Sequence, residues 1–232
     1  MDTINTAGPV TPFIPKGVIF DMDGLLLDTE QLETKIYIEI SRRMGWPTSE
    51  AALREMIGVT EDNTDVFFKK KYGAGYPYRE IWAAVKDEET LIGDKDGLPL
   101  KPGLFVLLEK LDHLGVPLAV ATSTGRKRTH WKLSRSGILG RFKVLACGDE
   151  VERGKPNPDI YLLAADRLGI EPAGCVGFED SPVGLAGLAT AGIPSIFIKD
   201  MAEPSPEILK TVWRRCADLE EAASLFGPPN ND

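Results

Sequence analysis

The chain has 232 residues, room for one large domain or for one domain carrying a small insertion. Hydrophobic residues at 43% and charged residues at 27% match soluble globular proteins and exclude a disordered or fibrous chain. The 35 acidic residues outnumber the 27 basic ones, for a formal charge of -8, which speaks against a general grip on nucleic acid through phosphate neutralisation.

Any anionic substrate would then need a local source of positive charge: a lysine, a helix N-terminus or a metal. The opening MDTINTAGPVTPFIPKG is broken by three prolines and has no apolar centre, so residues 1–15 read as a loose tail and not a signal peptide. The first apolar run, Gly17–Phe20 (GVIF), passes directly into Asp21–Met22–Asp23–Gly24. From about Gln31 to Leu98 the pattern turns helical. Ile36, Ile40 and Met44 share one face, and further helices are expected over Ala51–Ile57, Asp62–Lys71 and Tyr78–Leu91.

Beyond Gly97–Pro102 short apolar runs return at Pro117–Ala121, Val144–Cys147, Cys175–Phe178, Ser195–Ile198 and Val212–Cys216. Between them lie amphipathic stretches. Leu104, Leu107, Leu108, Leu111 and Leu114 form one apolar face; Ile160, Leu163, Ala164 and Leu168 form another, ended by Gly169. Runs rich in Val, Ile and Phe that alternate with helices predict an α/β fold: a doubly wound parallel sheet with a site at the C-terminal strand ends. The expected division is a core of residues 16–30 and 99–227 with a helical cap inserted over 31–98, on linkers near Thr29–Glu33 and Gly97–Pro102.

Cys147, Cys175 and Cys216 are odd in number and widely spaced, which fits small buried residues in a reducing, cytoplasmic setting and no disulfide or zinc framework. No apolar run reaches membrane length, since Glu109, Lys110 and Asp112 interrupt the best one. His113, near a helix end, and His130, in a basic run, suggest no catalysis, and GxSxG is absent.

Polar residues gather at four strand ends. Asp21 and Asp23 at a buried strand's mouth are costly to bring together without a counter-charge, and magnesium bound by oxygen ligands would supply one. The second run ends at Thr122–Ser123–Thr124, hydroxyls that alone read as a helix N-cap. Gly154–Lys155–Pro156–Asn157–Pro158–Asp159 leads into a helix, and the fourth run ends at Glu179–Asp180–Ser181–Pro182. Capping alone does not account for four such sites around one crevice.

In FDMDGLLLDTE, VATST, GKPNPD and GFEDSPVG, in that order from Lys16 to Lys199, the chain resembles the haloacid dehalogenase superfamily. The likeness is to its phosphatase and β-phosphoglucomutase-like branch. The resemblance implies a magnesium-dependent phosphatase acting on a small phosphorylated metabolite, a sugar phosphate or a nucleotide-like monophosphate, through an aspartyl-phosphate. It makes Asp21 the nucleophile and Asp23 the general acid and base. Thr122, with the Ser123 amide, becomes the phosphate-binding hydroxyl, and Lys155 the charge-neutralising lysine. The metal set it implies is Asp21, the Asp23 carbonyl and Asp180, with Glu179 a ligand or one layer behind.

A sugar-phosphate mutase of the same branch is the alternative. Such mutases place a basic residue after the cap's Gly-Val-Ser/Thr segment, where Glu61 follows Gly58–Val59–Thr60 here. They carry a Lys-Asn pair where this chain has Gly125–Arg126, and a histidine where Glu33 stands. Hydrolysis is therefore the expected reaction, with Arg126, Lys127, Arg128 or Lys69–Lys71 the cations left to hold a second phosphate. Dehalogenases of the superfamily lack the second aspartate. A receiver-like phospho-Asp signalling module would be shorter and capless. No nucleic-acid or membrane partner is expected. A monomer is compatible with everything above.

Overall fold

The computed structural model describes residues 12–56, 61–201 and 203–228. Its strands are β1 (Gly17–Phe20), β2 (Leu118–Thr122), β3 (Val144–Cys147), β4 (Cys175–Glu179), β5 (Ser195–Ile198) and β6 (Arg214–Cys216). They form one parallel sheet in the order β3-β2-β1-β4-β5-β6. Starting from β1 the chain winds outward through β2 and β3, then crosses back to β4 and winds the other way. That reversal leaves a crevice above the C-terminal ends of the central strands. Only β6 departs from expectation by more than a residue: Val212 instead packs into a small cluster with Leu185, Phe197 and Leu209.

Between β1 and β2 run α1 (Thr29–Arg43), α2 (Glu50–Arg54), α3 (Glu61–Tyr72) and α4 (Tyr78–Asp96). The later helices are α5 (Leu104–His113), α6 (Arg126–Arg135), α7 (Asp159–Leu168), α8 (Pro182–Ala191), α9 (Pro206–Leu209) and α10 (Leu219–Ala223). Side chains of successive strand residues point to opposite faces, so the central strands are sorted residue by residue. Val18, Phe20, Leu118, Val120, Val176 and Phe178 pack with α5, α6 and α10. Ile19, Ala119, Ala121 and Cys175 pack with α7 and α8. At Gly177 a Cβ would collide with Leu188, so this glycine lets α8 lie close to the sheet.

The α1–α4 insertion has its own centre, built from Ile36, Tyr37, Ala52, Phe68, Tyr76, Tyr78, Ile81 and Val85. Four local expectations need correction. Thr29–Glu33 is not a linker but the first turns of α1, because the chain is pinned just before it, where Leu27 bridges to Asp23 and Leu100. Met44 does not share the buried face; it caps the end of α1 and is 42% exposed. Helix α4 runs on past Leu91 to Asp96 and ends where Gly97 takes a positive φ of 80°; within its last turn Gly93 gives the Trp131 ring room to pack (a Cβ there would sit 2.7 Å from the ring). Of the expected tail, Pro12–Pro15 are held in place: the Phe13 N–H donates to Leu225 O, and its ring packs on Trp213 and Phe226. Ile57 and Gly58–Val59–Thr60 lie outside the described residues, and the Glu61 side chain is not described. All three cysteines are free and buried, and among the described residues no helix is long and apolar enough to cross a membrane.

Candidate active site

Pairing in register, Phe20 with both Val120 and Phe178, sets Asp21, Thr122 and Glu179–Asp180 side by side at one edge of the sheet. The Asp21 N–H donates to Phe178 O at 3.0 Å, fixing the turn out of β1. Lys155 arrives from the loop before α7 and donates to Asp21 Oδ1 and Glu179 Oε1, both at 2.5 Å. Its ammonium also lies 4.9 Å from the centre of the Tyr161 ring. Burial would lower Lys155, but Asp21 and Glu179 raise it well above its ordinary value, so it stays a cation. Burial raises the Asp21 carboxyl to about 7 in spite of that neighbour.

Glu179 is fully buried, and donors surround it. Oε1 accepts from Lys155 and from the Tyr161 hydroxyl; Oε2 accepts from the Asp180 and Ser181 N–H groups and from Ser181 Oγ. A carboxylate has about four acceptor positions, and five donors leave none for a metal. The expectation of Glu179 as a direct ligand is therefore not favoured; it organises Lys155 and the start of α8 from behind. Gly184 makes this possible, since a Cβ there would overlap the Glu179 carboxylate.

Asp180 is the opposite case. It is 4% exposed, and no donor among the described residues bonds its carboxylate. Burial, with Glu179, Asp21 and Glu30 adding like charge, pushes it well above the usual carboxylate range. Oxygens of Asp21, Glu179 and Asp180 lie within 4.8 Å of one another, as do those of Glu30, Asp180 and Asp200. Burial lifts Glu30 to about 8. Its Oε2 and Asp200 Oδ2 are buried without a hydrogen-bond partner among the described residues, although Lys101 pairs with Asp200 Oδ1 at 2.8 Å. A buried carboxylate edge that has hard oxygen donors and too few cations fits a divalent ion such as magnesium.

The Asp23 side chain faces away from that edge. Oδ1 accepts from Thr29 Oγ1 and Lys132 Nζ, both at 2.7 Å, and Oδ2 accepts from Thr124 Oγ1 at 2.9 Å. Burial would raise it, and these donors, Lys132 above all, hold it below its ordinary range. Lys132 Nζ also pairs with Glu33 at 3.2 Å and Glu89 at 3.0 Å.

The hydroxyls after β2 do not cap α6. Thr122 Oγ1 accepts from the Thr124 N–H at 3.1 Å, and the Arg126 N–H at the helix start donates to Asp149 Oδ1 at 2.9 Å. Thr122 is buried and Ser123 exposed. Of the expected residues, Asp21, Lys155, Glu179 and Asp180 form one group at this end of the sheet and Asp23 turns into another with Thr124, which was not among them; Thr122 meets that second group only through the Thr124 N–H. Sequence reasoning missed Lys132, Tyr161, Thr29, Glu30 and Asp200. Lys132 and Tyr161 sit inside amphipathic helices where nothing marks them, whereas Thr29 and Glu30 stand in the DTE of the first motif.

A family model described as haloacid dehalogenase-like hydrolase matches residues 15–192. A phosphorylated carbohydrates phosphatase of Thermotoga maritima is 34% identical over 182 residues, covering 78% of this chain and 84% of that one. Hexitol phosphatase A of Escherichia coli is 31% identical over 176 residues, covering 75% of this chain and 79% of that one. Among solved structures, CbbY of Rhodobacter sphaeroides in complex with xylulose-(1,5)bisphosphate superimposes with a TM-score of 0.74 at 26% identity, covering 92% of this chain and 100% of that one.

Proposed function

The chain belongs to the haloacid dehalogenase-like hydrolases, and from that membership we propose that it is a magnesium-dependent phosphatase of small phosphorylated metabolites, sugar phosphates foremost. The observation that carries the proposal is the pairing of Asp21 with Lys155 beside the unpartnered Asp180 carboxylate.

Asp21 attacks phosphorus and becomes an aspartyl-phosphate. Lys155 offsets the repulsion between the carboxylate and the incoming dianion, and Glu179 and Tyr161 hold it in place. Thr122 and the Ser123 amide bind the transferring group. Asp21, Asp180 and the Asp23 carbonyl would hold a magnesium ion, whose charge would further offset that of the phosphate oxygens. Asp23 protonates the leaving oxygen, then takes a proton from the water that hydrolyses the phosphoenzyme. Three donors keep it ionised when no substrate is bound; a phosphate dianion entering beside it raises its affinity for the proton.

Hydrolysis is favoured over the mutase reading because four of the six cations left for a second phosphate are committed elsewhere, Lys70 and Lys127 being the exposed exceptions. Arg126 is held by Glu150 and Leu145 O, Arg128 by Glu89, Lys69 by Asp65 and Lys71 by Glu55. Glu33, where mutases of this branch have a histidine, is bound to Lys132.

Asp21→Asn should abolish turnover with an unchanged circular dichroism spectrum. Asp23→Asn should accept phosphate from an activated donor yet turn over on the order of 10²–10⁴-fold more slowly. An active, folded Asp21→Asn enzyme would end the aspartyl-phosphate reading.

A further inference from the structure

Lys132 is 4% exposed and has three anionic partners, each from a different part of the molecule. Asp23 belongs to the turn after β1, Glu33 to α1 and Glu89 to α4; Lys132 itself is on α6, in the α/β core. Glu89 has a second cation, Arg128, whose guanidinium lies over the Trp131 ring at 4.0 Å and also donates to Thr90 Oγ1 at 2.7 Å. Trp131 Nε1 and Arg135 both reach Asp94, at 2.9 Å and 2.8 Å. The seam between α4 and α6 is therefore charge-matched without Lys132. A latch between cap and core would need nothing more, yet Lys132 extends to the Asp23 carboxylate, with its shortest contact there.

We propose that Lys132 is a positioning residue that ties the orientation of the Asp23 carboxylate to the seating of the helical insertion, so that Asp23 faces the leaving oxygen only when α1 and α4 are docked. The proposal rests on the reading of Asp23 as general acid. Physically, one ammonium shared between a core carboxylate and two cap carboxylates makes their positions interdependent. If α1 and α4 move off, Lys132 loses Glu33 and Glu89, and its pull on Asp23 Oδ1 is no longer balanced from the cap side. An error of about 1 Å in a reacting group costs on the order of 10²-fold in rate, so a small shift of Asp23 is enough to matter.

The test compares two leaving groups. p-Nitrophenolate departs with little protonation, whereas a sugar alkoxide needs the proton from Asp23. The substrates are p-nitrophenyl phosphate and whichever sugar phosphate the wild type turns over best. The quantity read is the ratio of their kcat/KM values, which reports the steps up to phosphoryl transfer. Lys132→Met should lower kcat/KM for the sugar phosphate on the order of 10²-fold and that for p-nitrophenyl phosphate far less, and Lys132→Arg should recover part of the ratio. A merely structural lysine would lower both substrates together or alter thermal stability alone. If Lys132→Met does not fold, Lys132→Gln, which keeps a donor but no charge, is read in the same way. An unchanged ratio in the folded variant overturns the proposal. Asp23→Asn measured alongside separates the two failures. If it lowers the sugar-phosphate value far more than the p-nitrophenyl phosphate value while Lys132→Met keeps the wild-type ratio, only the role of Lys132 has failed; if Asp23→Asn also keeps the ratio, the reading of Asp23 as general acid has failed with it.

Discussion

Glu150 and Glu179 both end up surrounded by donors, with opposite consequences. Glu179 is completely buried and spends its lone pairs holding Lys155 and Tyr161 at the site. Glu150, after the edge strand β3, joins Arg126 of α6 and Arg167 of α7 and also accepts from the Cys147 N–H. Those bonds, Arg167 first, hold its carboxyl down at about 2, against an ordinary 4.5. A carboxyl whose folded value is depressed stabilises the fold fully above its unfolded value and loses that contribution as pH falls toward the folded one. Glu150→Gln should therefore melt below wild type at neutral pH, and the gap should narrow as the pH is lowered from about 4.5 toward 2. Melting curves whose separation is the same at every pH would contradict this. The acidic motif residues were legible because each stands at a strand end. Lys132 was not, because a lone lysine on a basic helix looks solvated until the tertiary structure puts three carboxylates around it.

Among the elements, α1–α4 hold together chiefly through aromatic rings. Phe68 stacks on Tyr72, Tyr76 and Tyr78 at 5.9, 5.2 and 5.7 Å between centroids. The Tyr76 hydroxyl is bonded to Thr48 Oγ1 and to Tyr37. Large-to-small changes at such a position cost about 3–5 kcal/mol. Because this cluster is separate from the two that line the sheet, Phe68→Ala should loosen the insertion before the α/β core. Hydrogen exchange should show faster exchange in α1, α3 and α4 with β1, β2 and β4 still protected, and uniform loss of protection would argue against separate units. Helical periodicity placed these helices from sequence, but their ends were less legible. The start of α1 depends on the Leu27 bridges, and the end of α4 on the positive φ that Gly97 adopts.

For the molecule as a whole, the placement of charge decides between hydrolysis and isomerisation. Lys69, Lys71 and Arg128 near the insertion are paired with carboxylates, and Glu33 adds a further acid beside Asp23's lysine. The cation nearest Glu33, Lys132, is itself shared among Asp23, Glu33 and Glu89, so among the described residues it does not offer an anion a second cationic seat. Given β-glucose 1-phosphate and a bisphosphate activator, the enzyme should release free phosphate in a magnesium-dependent manner and form no glucose 6-phosphate. A coupled assay run beside phosphate release measures both. Isomerisation outpacing release would restore the mutase reading and require a cation outside the pairs described here, such as the exposed Lys70 or Lys127.

The order of strands and helices, the doubly wound sheet and the strand-end position of Asp21, Thr122 and Asp180 all follow from the chain by itself. Strand hydrophobicity and helix period are local properties that survive in one dimension, and the winding rule then brings the strand ends together. Only the folded chain decides which way each of these carboxylates turns. Asp21 and Asp180 share one buried edge, Glu179 is used up by five donors, and Asp23 looks toward Thr29, Thr124 and Lys132. The reason is physical: the state of a buried carboxylate depends on how many donors reach it, and at Asp23 two of them, Thr124 and Lys132, come from segments more than 100 residues away in the chain.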